Sequence, residues 1–274
     1  MRVSVPASSA NLGPGFDCLA VALDLRAEIG LVDGELPEKA EVAKGAHPAR
    51  LAFLESGGRG DVWVRSPIPS GRGLGFSGAV RVGAIALALR QRDAVDCLAG
   101  DRLELFRAAA RFEGHGDNVA ASTYGGFVVV ADDTVARIPT PLDPVIVAWV
   151  PGQRTSTDES RSSLPSTIDR TDAVFNLSRT GLLVAALSTG RVELLRESTR
   201  DRMHQDRRLV KATRSREALD AFLNSEAWCA WLSGSGPTVA AMCASADVDA
   251  VSARLPEGRV LSLSVDSVGA RWED

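Results

Sequence analysis

The sequence lacks the features of membrane, secreted and metal-bridged proteins. No stretch approaches the roughly 20 consecutive apolar residues that a membrane-spanning helix needs, and the opening MRVSVPASSANLGPGFD has no apolar run typical of a signal peptide. The four cysteines are far apart and form no CxxC pair, so we expect neither a metal site nor a disulfide framework. These absences predict a protein of the reduced cytoplasm.

The chain also lacks a basic excess, internal repeats and low-complexity segments. Its net charge is -4 and its pI about 5.5, which argues against a nucleic-acid-binding protein. With 274 residues, 45% of them hydrophobic, it can form one large globular domain or two modest ones. The three histidines, His47, His115 and His204, show no metal-ligand spacing, so we expect them in loops or at the surface.

Strand-like and helix-like segments are mixed along the whole chain, which predicts an α/β or α+β fold. VWVRSPIPSGRGLGFSG is typical of a strand followed by a glycine-rich loop, and AVRVGAIALALRQ has helical spacing. VIVAWVPG predicts a strand that ends at Pro-Gly, and we place a domain boundary there, giving domains 1–145 and 146–274. WCAWLSGSGPTVAAMCAS predicts a strand, a turn and a helix.

The loop PSGRGLGFSGA has the composition of an anion-binding turn. Glycines allow the backbone to approach a ligand closely, and the following helix N-terminus adds positive potential. The loop has neither the GK[ST] of a Walker A motif nor the spacing of a dinucleotide-binding loop. A plain structural turn therefore stays open as the alternative.

Polar residues that suit magnesium follow later in the chain. The segment EGHGDNVAASTYGG brings together Glu113, Asp117 and Asn118, and magnesium takes oxygen ligands beside substrate phosphates. A solvated helix end is the alternative interpretation. LSGSGPTVAA and PASSANLGPGFD add two further tight, polar loops. Structural turns seldom repeat this composition three times in one chain.

In their order along the chain, these motifs resemble those of the GHMP kinase superfamily, and of homoserine kinases within it. The matching segments are VPASSANLGPGFDCLAVALDL, PSGRGLGFSGA, EGHGDNVAASTYGG, TSTDESRSSLP, HQDRR and LSGSGPT. The resemblance implies two lobes, the first like the ribosomal-protein-S5-domain-2 fold and the second ferredoxin-like. It also implies ATP and Mg²⁺, a homodimer, and transfer of the γ-phosphoryl group to the side-chain hydroxyl of L-homoserine, a step of threonine biosynthesis.

The resemblance also implies roles for particular residues. The ATP phosphates would lie against the glycine-rich loop, made of Pro69, Gly71, Arg72, Gly73, Leu74, Gly75, Phe76, Ser77 and Gly78. Ser77 and Glu113 would hold magnesium, and Asn118 would lie near the transferred phosphoryl group, with Asp117 as the rival candidate for a general base. The amino acid would bind to Asn11, Asp17, Arg161 and Arg208. The third motif supplies the C-terminal glycine loop, made of Ser233, Gly234, Ser235 and Gly236.

The sequence departs from the family pattern in places that leave two alternatives open. Phe76 and Gly78 stand where GLGSSAA has Ser and Ala, and Asp206 and Arg207 replace Pro and Tyr before Arg208. One alternative is a kinase for threonine or another small hydroxyl metabolite, since one methyl group changes discrimination only modestly. The other is a nucleotide-binding homologue without catalytic activity.

Overall fold

A computed structural model describes residues 1–93, 96–153 and 157–273. The strands are β1 (Arg2–Ala10), β2 (Leu19–Leu31), β3 (Glu41–Val42), β4 (Val62–Arg65), β5 (Phe127–Ala131), β6 (Thr134–Ile138), β7 (Val145–Val150), β8 (Cys229–Leu232), β9 (Val239–Cys243), β10 (Arg259–Ser264) and β11 (Arg271–Glu273). The helices are α1 (Pro48–Glu55), α2 (Phe76–Asp93), α3 (Leu103–Glu113), α4 (Asp117–Tyr124), α5 (Thr157–Ser162), α6 (Arg170–Thr189), α7 (Leu195–Ser198), α8 (Gln205–Leu209), α9 (Thr213–Leu223) and α10 (Val248–Ser252).

The first sheet is antiparallel and is built around β2. Its main order is β11-β1-β2-β4-β3, and β5 and β6 extend it from the other end of β2. One edge of β2 pairs with β1 along most of its length, while the opposite edge pairs with β5 at residues 19–21 and with β4 at residues 28–31. A register shift between Pro6 and Ala7 bends β1. The end of β1 leads directly into the first polar loop.

Helix α2 covers this sheet, and from Gly78 to Leu89 every residue except the half-buried Arg81 is buried. The predicted order of strand, glycine-rich loop and helix is confirmed, because β4 ends at Arg65 and α2 begins at Phe76. The first turn of α2 contains no acidic residue. The first turn of α2 itself therefore adds no negative side-chain charge to the positive end of the helix dipole.

The second sheet has the order β10-β7-β9-β8 and is also antiparallel. Side chains along β7 alternate between two cores: Ile146, Ala148 and Val150 join the main core, whereas Val147 and Trp149 pack with α9 and α10. A sheet with both faces covered has near-continuous apolar strands. This explains why the helix predicted after the C-terminal glycine loop was wrong: the segment is β9, an apolar strand too short for periodicity to distinguish from a buried helix.

The chain crosses between the two sheets again at its C-terminal end. After β10 it returns to the first sheet, where β11 pairs with β1, and Arg26 of β2 forms an ion pair with Asp266. The predicted boundary between residues 145 and 146 stays a prediction; β7 begins at Val145. Among the described helices, none combines the length and apolarity needed to cross a membrane.

Candidate active site

Three polar loops meet around a cavity of about 470 Å³. The first joins β1 to β2, the second joins β4 to α2, and the third joins β8 to β9. The loops are far apart in sequence, yet hydrogen bonds tie them together: Asn11 donates from Nδ2 to the Gly234 carbonyl, 223 positions away, at 2.9 Å, and Ser233 donates from Oγ to the Gly73 carbonyl, 160 positions away, at 2.7 Å. The cavity therefore has walls from both sheets.

The second and third loops touch so closely that a side chain would not fit between them. Gly73 has φ +76°, and a Cβ atom there would lie 2.3 Å from the backbone oxygen of Ser233. The guanidinium of Arg72 contacts the chain after β7: it donates from Nε to the Pro151 carbonyl at 2.9 Å and from Nη2 to the Gly152 carbonyl at 2.8 Å. The glycine-rich loop is thus anchored to the second lobe on two sides.

The first loop adopts unusual backbone geometry. Asn11, Leu12 and Asp17 have φ of 71°, 46° and 59°, in the left-handed region that non-glycine residues rarely occupy. The Asp17 N–H donates to the side-chain oxygen of Asn11 at 3.1 Å, which closes the turn. This geometry brings both residues to the same cavity, where the resemblance places the amino acid.

Asp17 and Arg161 form a two-pronged ion pair at the cavity. The guanidinium donates to both carboxylate oxygens, at 2.8 and 2.9 Å. Arg208 lies nearby and is buried, with 9% of its surface exposed. The guanidinium carbons of both arginines lie about 5.5 Å from the centre of the Phe16 ring. The cavity wall thus presents one carboxylate and two guanidinium groups side by side.

A second polar cluster lies at the start of α4. His115 Nδ1 lies 2.9 Å from Oδ1 of Asp117, and the same oxygen accepts the Asn118 N–H at 2.7 Å. Asn118 accepts a hydrogen bond from Ser8 Oγ at 2.9 Å through its Oδ1. The amide oxygen of Asn118 is therefore engaged with the protein, which leaves its Nδ2 hydrogens to serve the cavity that this residue lines.

Ser77 and Glu113 converge on a single nitrogen atom. Nη1 of Arg81 donates to Ser77 Oγ at 2.7 Å and also to Oε1 of Glu113. Ser77 and Arg81 lie on α2 one helical turn apart, and Glu113 is the last residue of α3. The packing of α3 on α2 brings the hydroxyl and the carboxylate to one point.

Comparison with known proteins decides the family. The sequence matches the model of the GHMP kinases N terminal domain over residues 41–126 and that of the GHMP kinases C terminal domain over residues 183–259. The chain belongs to the GHMP kinase family.

Within the family, the chain is similar over its full length to homoserine kinases. The chain is 39% identical to the homoserine kinase of Thermus thermophilus, covering 100% of this chain and 98% of that protein, and 37% identical to that of Desulfitobacterium hafniense, covering 98% and 99%. The crystal structure of homoserine kinase from Cytophaga hutchinsonii matches with a TM-score of 0.78 at 25% identity, covering 99% of this chain and 96% of that one. The predicted two-lobed GHMP kinase fold, of mixed α/β class, is confirmed.

The cavity of this GHMP kinase collects most of the residues that the sequence singled out. Of those, Leu74, Ser233 and Gly236 do not line it. Leu74 is buried in the core, and Ser233 supports the Gly73 carbonyl from behind. The residues that do line it are Asn11, Asp17, Pro69, Gly71, Arg72, Gly73, Gly75, Phe76, Ser77, Gly78, Glu113, Asn118, Arg161, Arg208, Gly234 and Ser235.

Several side chains of the site were not predicted from the sequence. His47 and His115 line the cavity, although neither was predicted as a site residue. Asp117 also lines it, and from the sequence it was only the rival candidate for a general base. His204 lies in the loop before α8, as expected, but not at the surface, because its ring is fully buried behind Arg208. Arg81 also went unnoticed, although a position four residues after Ser77 on a helix is a neighbour of that serine.

Burial and neighbouring charges shift several pKa values in the cleft. Burial opposes the charged form of His115, but its hydrogen bond with Asp117 and the surrounding carboxylates outweigh burial and raise the pKa of His115. Burial, followed by the charge of Arg161, lowers the pKa of Arg208 to about 10. Burial likewise lowers the pKa of His204. These surroundings thus favour the protonated form of His115 and the neutral form of His204 relative to a histidine in water.

The oxygen atoms of Ser77 and Glu113 fit a magnesium ion by their chemistry. Both are hard oxygen donors, one of them a carboxylate, and both bond the same nitrogen, so they face one position from two helices. That position lies next to the glycine-rich loop, where phosphates would supply the remaining ligands. In this structure the guanidinium of Arg81 supplies the positive charge there.

Proposed function

We propose that the chain is an ATP-dependent kinase that phosphorylates the side-chain hydroxyl of L-homoserine and forms O-phospho-L-homoserine. The observation that carries the proposal is the cavity wall of Asp17, Arg161 and Arg208, which lies beside a glycine-rich loop at a helix N-terminus. The names of the full-length relatives support the same substrate.

The charges of this wall match a free amino acid. The carboxylate of Asp17 suits an α-ammonium group, and the two guanidinium groups suit an α-carboxylate, which arginine binds through two parallel hydrogen bonds. Asp17 and Arg161 satisfy each other in the structure. A zwitterion would replace this internal pair by two external ones, so the charges of Asp17 and Arg161 stay compensated before and after binding.

The phosphate side of the cavity depends on the backbone. The first turn of α2 leaves N–H groups without intrahelical partners, and these point into the loop that Gly71, Gly73 and Gly75 shape. In the proposed reaction the substrate oxygen attacks the γ-phosphorus, the bond from this phosphorus to the β–γ bridging oxygen breaks, ADP leaves with that oxygen, and the hydroxyl proton passes to water. Such transfer depends mainly on positioning and charge stabilisation.

Asn118 and Asp117 take different parts in this scheme. Asn118 would donate from Nδ2 toward the transferred phosphoryl group, because Ser8 holds its other end. Asp117 is buried, and one of its oxygens already accepts bonds from His115 and the Asn118 N–H. We therefore assign Asp117 to orienting these two neighbours rather than to removing a proton.

Ser77 and Glu113 are the residues that would hold Mg²⁺. A bound magnesium ion neutralises charge that develops on the phosphates during transfer. The serine lies in the first turn of α2, and the carboxylate is on the last residue of α3.

A substrate panel tests the proposal. ATP consumption is measured with homoserine, threonine, serine and mevalonate at saturating magnesium. We expect homoserine to give the highest kcat/KM. A preference for threonine would favour the alternative kinase, and the absence of turnover with every compound would favour the inactive nucleotide-binding homologue.

Assembly and compartment belong to the same proposal. We expect a homodimer, which light scattering on the purified protein measures directly. All four cysteines are free thiols, and Cys97, Cys229 and Cys243 are buried. Free thiols suit the reduced cytoplasm that the sequence predicts.

A further inference from the structure

Arg81 lies at the point where the two candidate magnesium ligands meet. We propose that Arg81 is a resident counter-ion of the metal position: it pairs with Ser77 and Glu113 in the free protein and leaves both when magnesium and nucleotide bind together. This inference rests on the proposed kinase function, and it concerns the order in which the metal and the nucleotide can be accommodated.

The geometry makes the guanidinium and a metal ion mutually exclusive. One nitrogen of Arg81, Nη1, donates to the oxygens of both Ser77 and Glu113. A magnesium ion that used the same two oxygens would have to stand where this nitrogen stands. Two cations cannot share that position, so binding of the metal requires Arg81 to move.

Burial explains why a counter-ion is present at all. The Glu113 side chain is 12% exposed and that of Arg81 is 19% exposed. A buried carboxylate without a partner is strongly destabilising. In the free protein Arg81 provides that partner and fixes α2 against α3 at the edge of the cavity.

Arg81 is nevertheless incompletely bonded where it lies. Its Nε is buried and has no hydrogen-bond partner among the described residues. An arginine has a long side chain with many rotamers, and the nucleotide phosphates would offer its guanidinium new acceptors close by. A metal ion alone offers no such acceptors, so it has to displace the guanidinium without compensation.

The proposal predicts that free metal binds weakly because Arg81 competes with it. Mn²⁺ serves as the probe, and electron paramagnetic resonance counts free Mn²⁺ in the presence of the full-length protein without nucleotide. Arg81→Gln keeps a hydrogen-bond donor and removes the charge. We expect it to bind Mn²⁺ about tenfold or more tightly than the unchanged protein, because a competing cation at hydrogen-bond distance is lost.

Two further variants make the result specific. Arg90→Gln removes an arginine from the far end of the same helix, where it lies 3.9 Å from Asp96, and should leave Mn²⁺ affinity unchanged. Arg81→Gln combined with Glu113→Gln should lose the gain, because the carboxylate that Arg81 released is then absent. Circular dichroism checks that each variant is folded, and Arg81→Met replaces Arg81→Gln if the latter is not.

The outcomes separate this inference from the proposed function. Equal or weaker Mn²⁺ binding by the Arg81 variants would overturn it, even if homoserine is phosphorylated. A gain that survives Glu113→Gln would also overturn it, because the metal would then be bound elsewhere, for example by the cluster of Asp17, His115 and Asp117. Failure of homoserine turnover with the expected Mn²⁺ result would instead remove only the substrate assignment.

Discussion

His204 supports Arg208 from behind the cavity: Nδ1 of the ring lies 3.1 Å from Nη1 of Arg208, and Nε2 lies 2.8 Å from the Gly13 carbonyl. Because the guanidinium is only a donor and the carbonyl only an acceptor, a single form of the ring satisfies both contacts. That form is neutral, with the proton on Nε2. In a positively charged ring, the N–H at Nδ1 would face the N–H donor at Nη1 of Arg208.

This arrangement gives stability a defined pH dependence. Burial lowers the pKa of His204 below the ordinary value of 6.5, so the unfolded chain takes up a proton below pH 6.5 that the folded protein does not. The contribution of His204 is therefore fully present above pH 6.5 and declines as the pH falls toward the lowered pKa. Compared with His204→Gln, the unchanged protein should lose more Tm between about pH 7.5 and 5.5. Calorimetry at several pH values measures this, and parallel curves would contradict it.

Arg161→Ala and Arg208→Ala should weaken amino-acid binding far more than ATP binding. A lost charge-assisted hydrogen bond to a carboxylate is worth about 1.5–3 kcal/mol, or roughly tenfold or more in affinity. Steady-state kinetics with each substrate varied in turn measures both Michaelis constants. Arg207→Ala is the matched control, because Arg207 is exposed and does not line the main cavity. A larger effect at Arg207, or equal rises in both constants, would contradict the assignment.

Ser77→Ala and Glu113→Gln should each reduce turnover strongly at saturating magnesium and leave the fold intact. The reason is the loss of an oxygen ligand from the position that neutralises the phosphates. Glu104→Gln on the same helix as Glu113 serves as the control, since Glu104 is exposed. Near-normal turnover of either variant would show that its side chain is not a metal ligand.

The fold and much of the candidate site could be predicted because their signals are local. The strand, glycine-rich loop and α2 follow each other directly in sequence, and the motif residues carry their chemistry with them. β9 was mistaken for a helix because its apolar side chains serve two cores, which erases the alternation of a one-sided strand. α4 also escaped notice, since Asp117 and Asn118 begin a helix of only eight residues directly before β5.

The interactions that the sequence could not reveal are the ones that join distant segments. The contact of His204 with Gly13 spans 191 positions, and that of Arg81 with Glu113 joins two helices 32 positions apart. No local periodicity encodes such contacts. The i+4 spacing from Ser77 to Arg81 was the one available signal, and it indicates a neighbour on the helix but not a shared carboxylate.

Gly73→Ala should impair nucleotide binding and lower Tm. Its φ is +76°, a conformation that costs a residue with a Cβ about 1–2 kcal/mol. The new Cβ would also meet the backbone oxygen of Ser233 at 2.3 Å, and a backbone atom cannot rotate away. Gly34→Ala is the control, because nothing lies within 4 Å of its Cβ position. Thermal unfolding with and without an ATP analogue measures both effects, and equal behaviour of the two variants would contradict the close contact.

Phe76 replaces the serine of the family pattern at the first residue of α2. Its ring meets His47 edge-on, with centroids 6.1 Å apart and planes at 85°, so the side chain has a packing partner outside the phosphate loop. The N–H groups that would face the phosphates belong to the backbone and do not depend on this ring.

We therefore expect the unchanged protein to be an active kinase. Phe76→Ser should change the affinity for an ATP analogue by less than about tenfold and lower the stability by about 1 kcal/mol. Phe76→Leu, which keeps an apolar contact, should retain most of that stability. Calorimetry with the analogue, denaturant unfolding and homoserine turnover measure the three quantities. A contrary result would have two parts: the unchanged protein binds nucleotide tightly but turns over no small hydroxyl compound, and Phe76→Ser restores turnover. That result would show that Phe76 disables the loop.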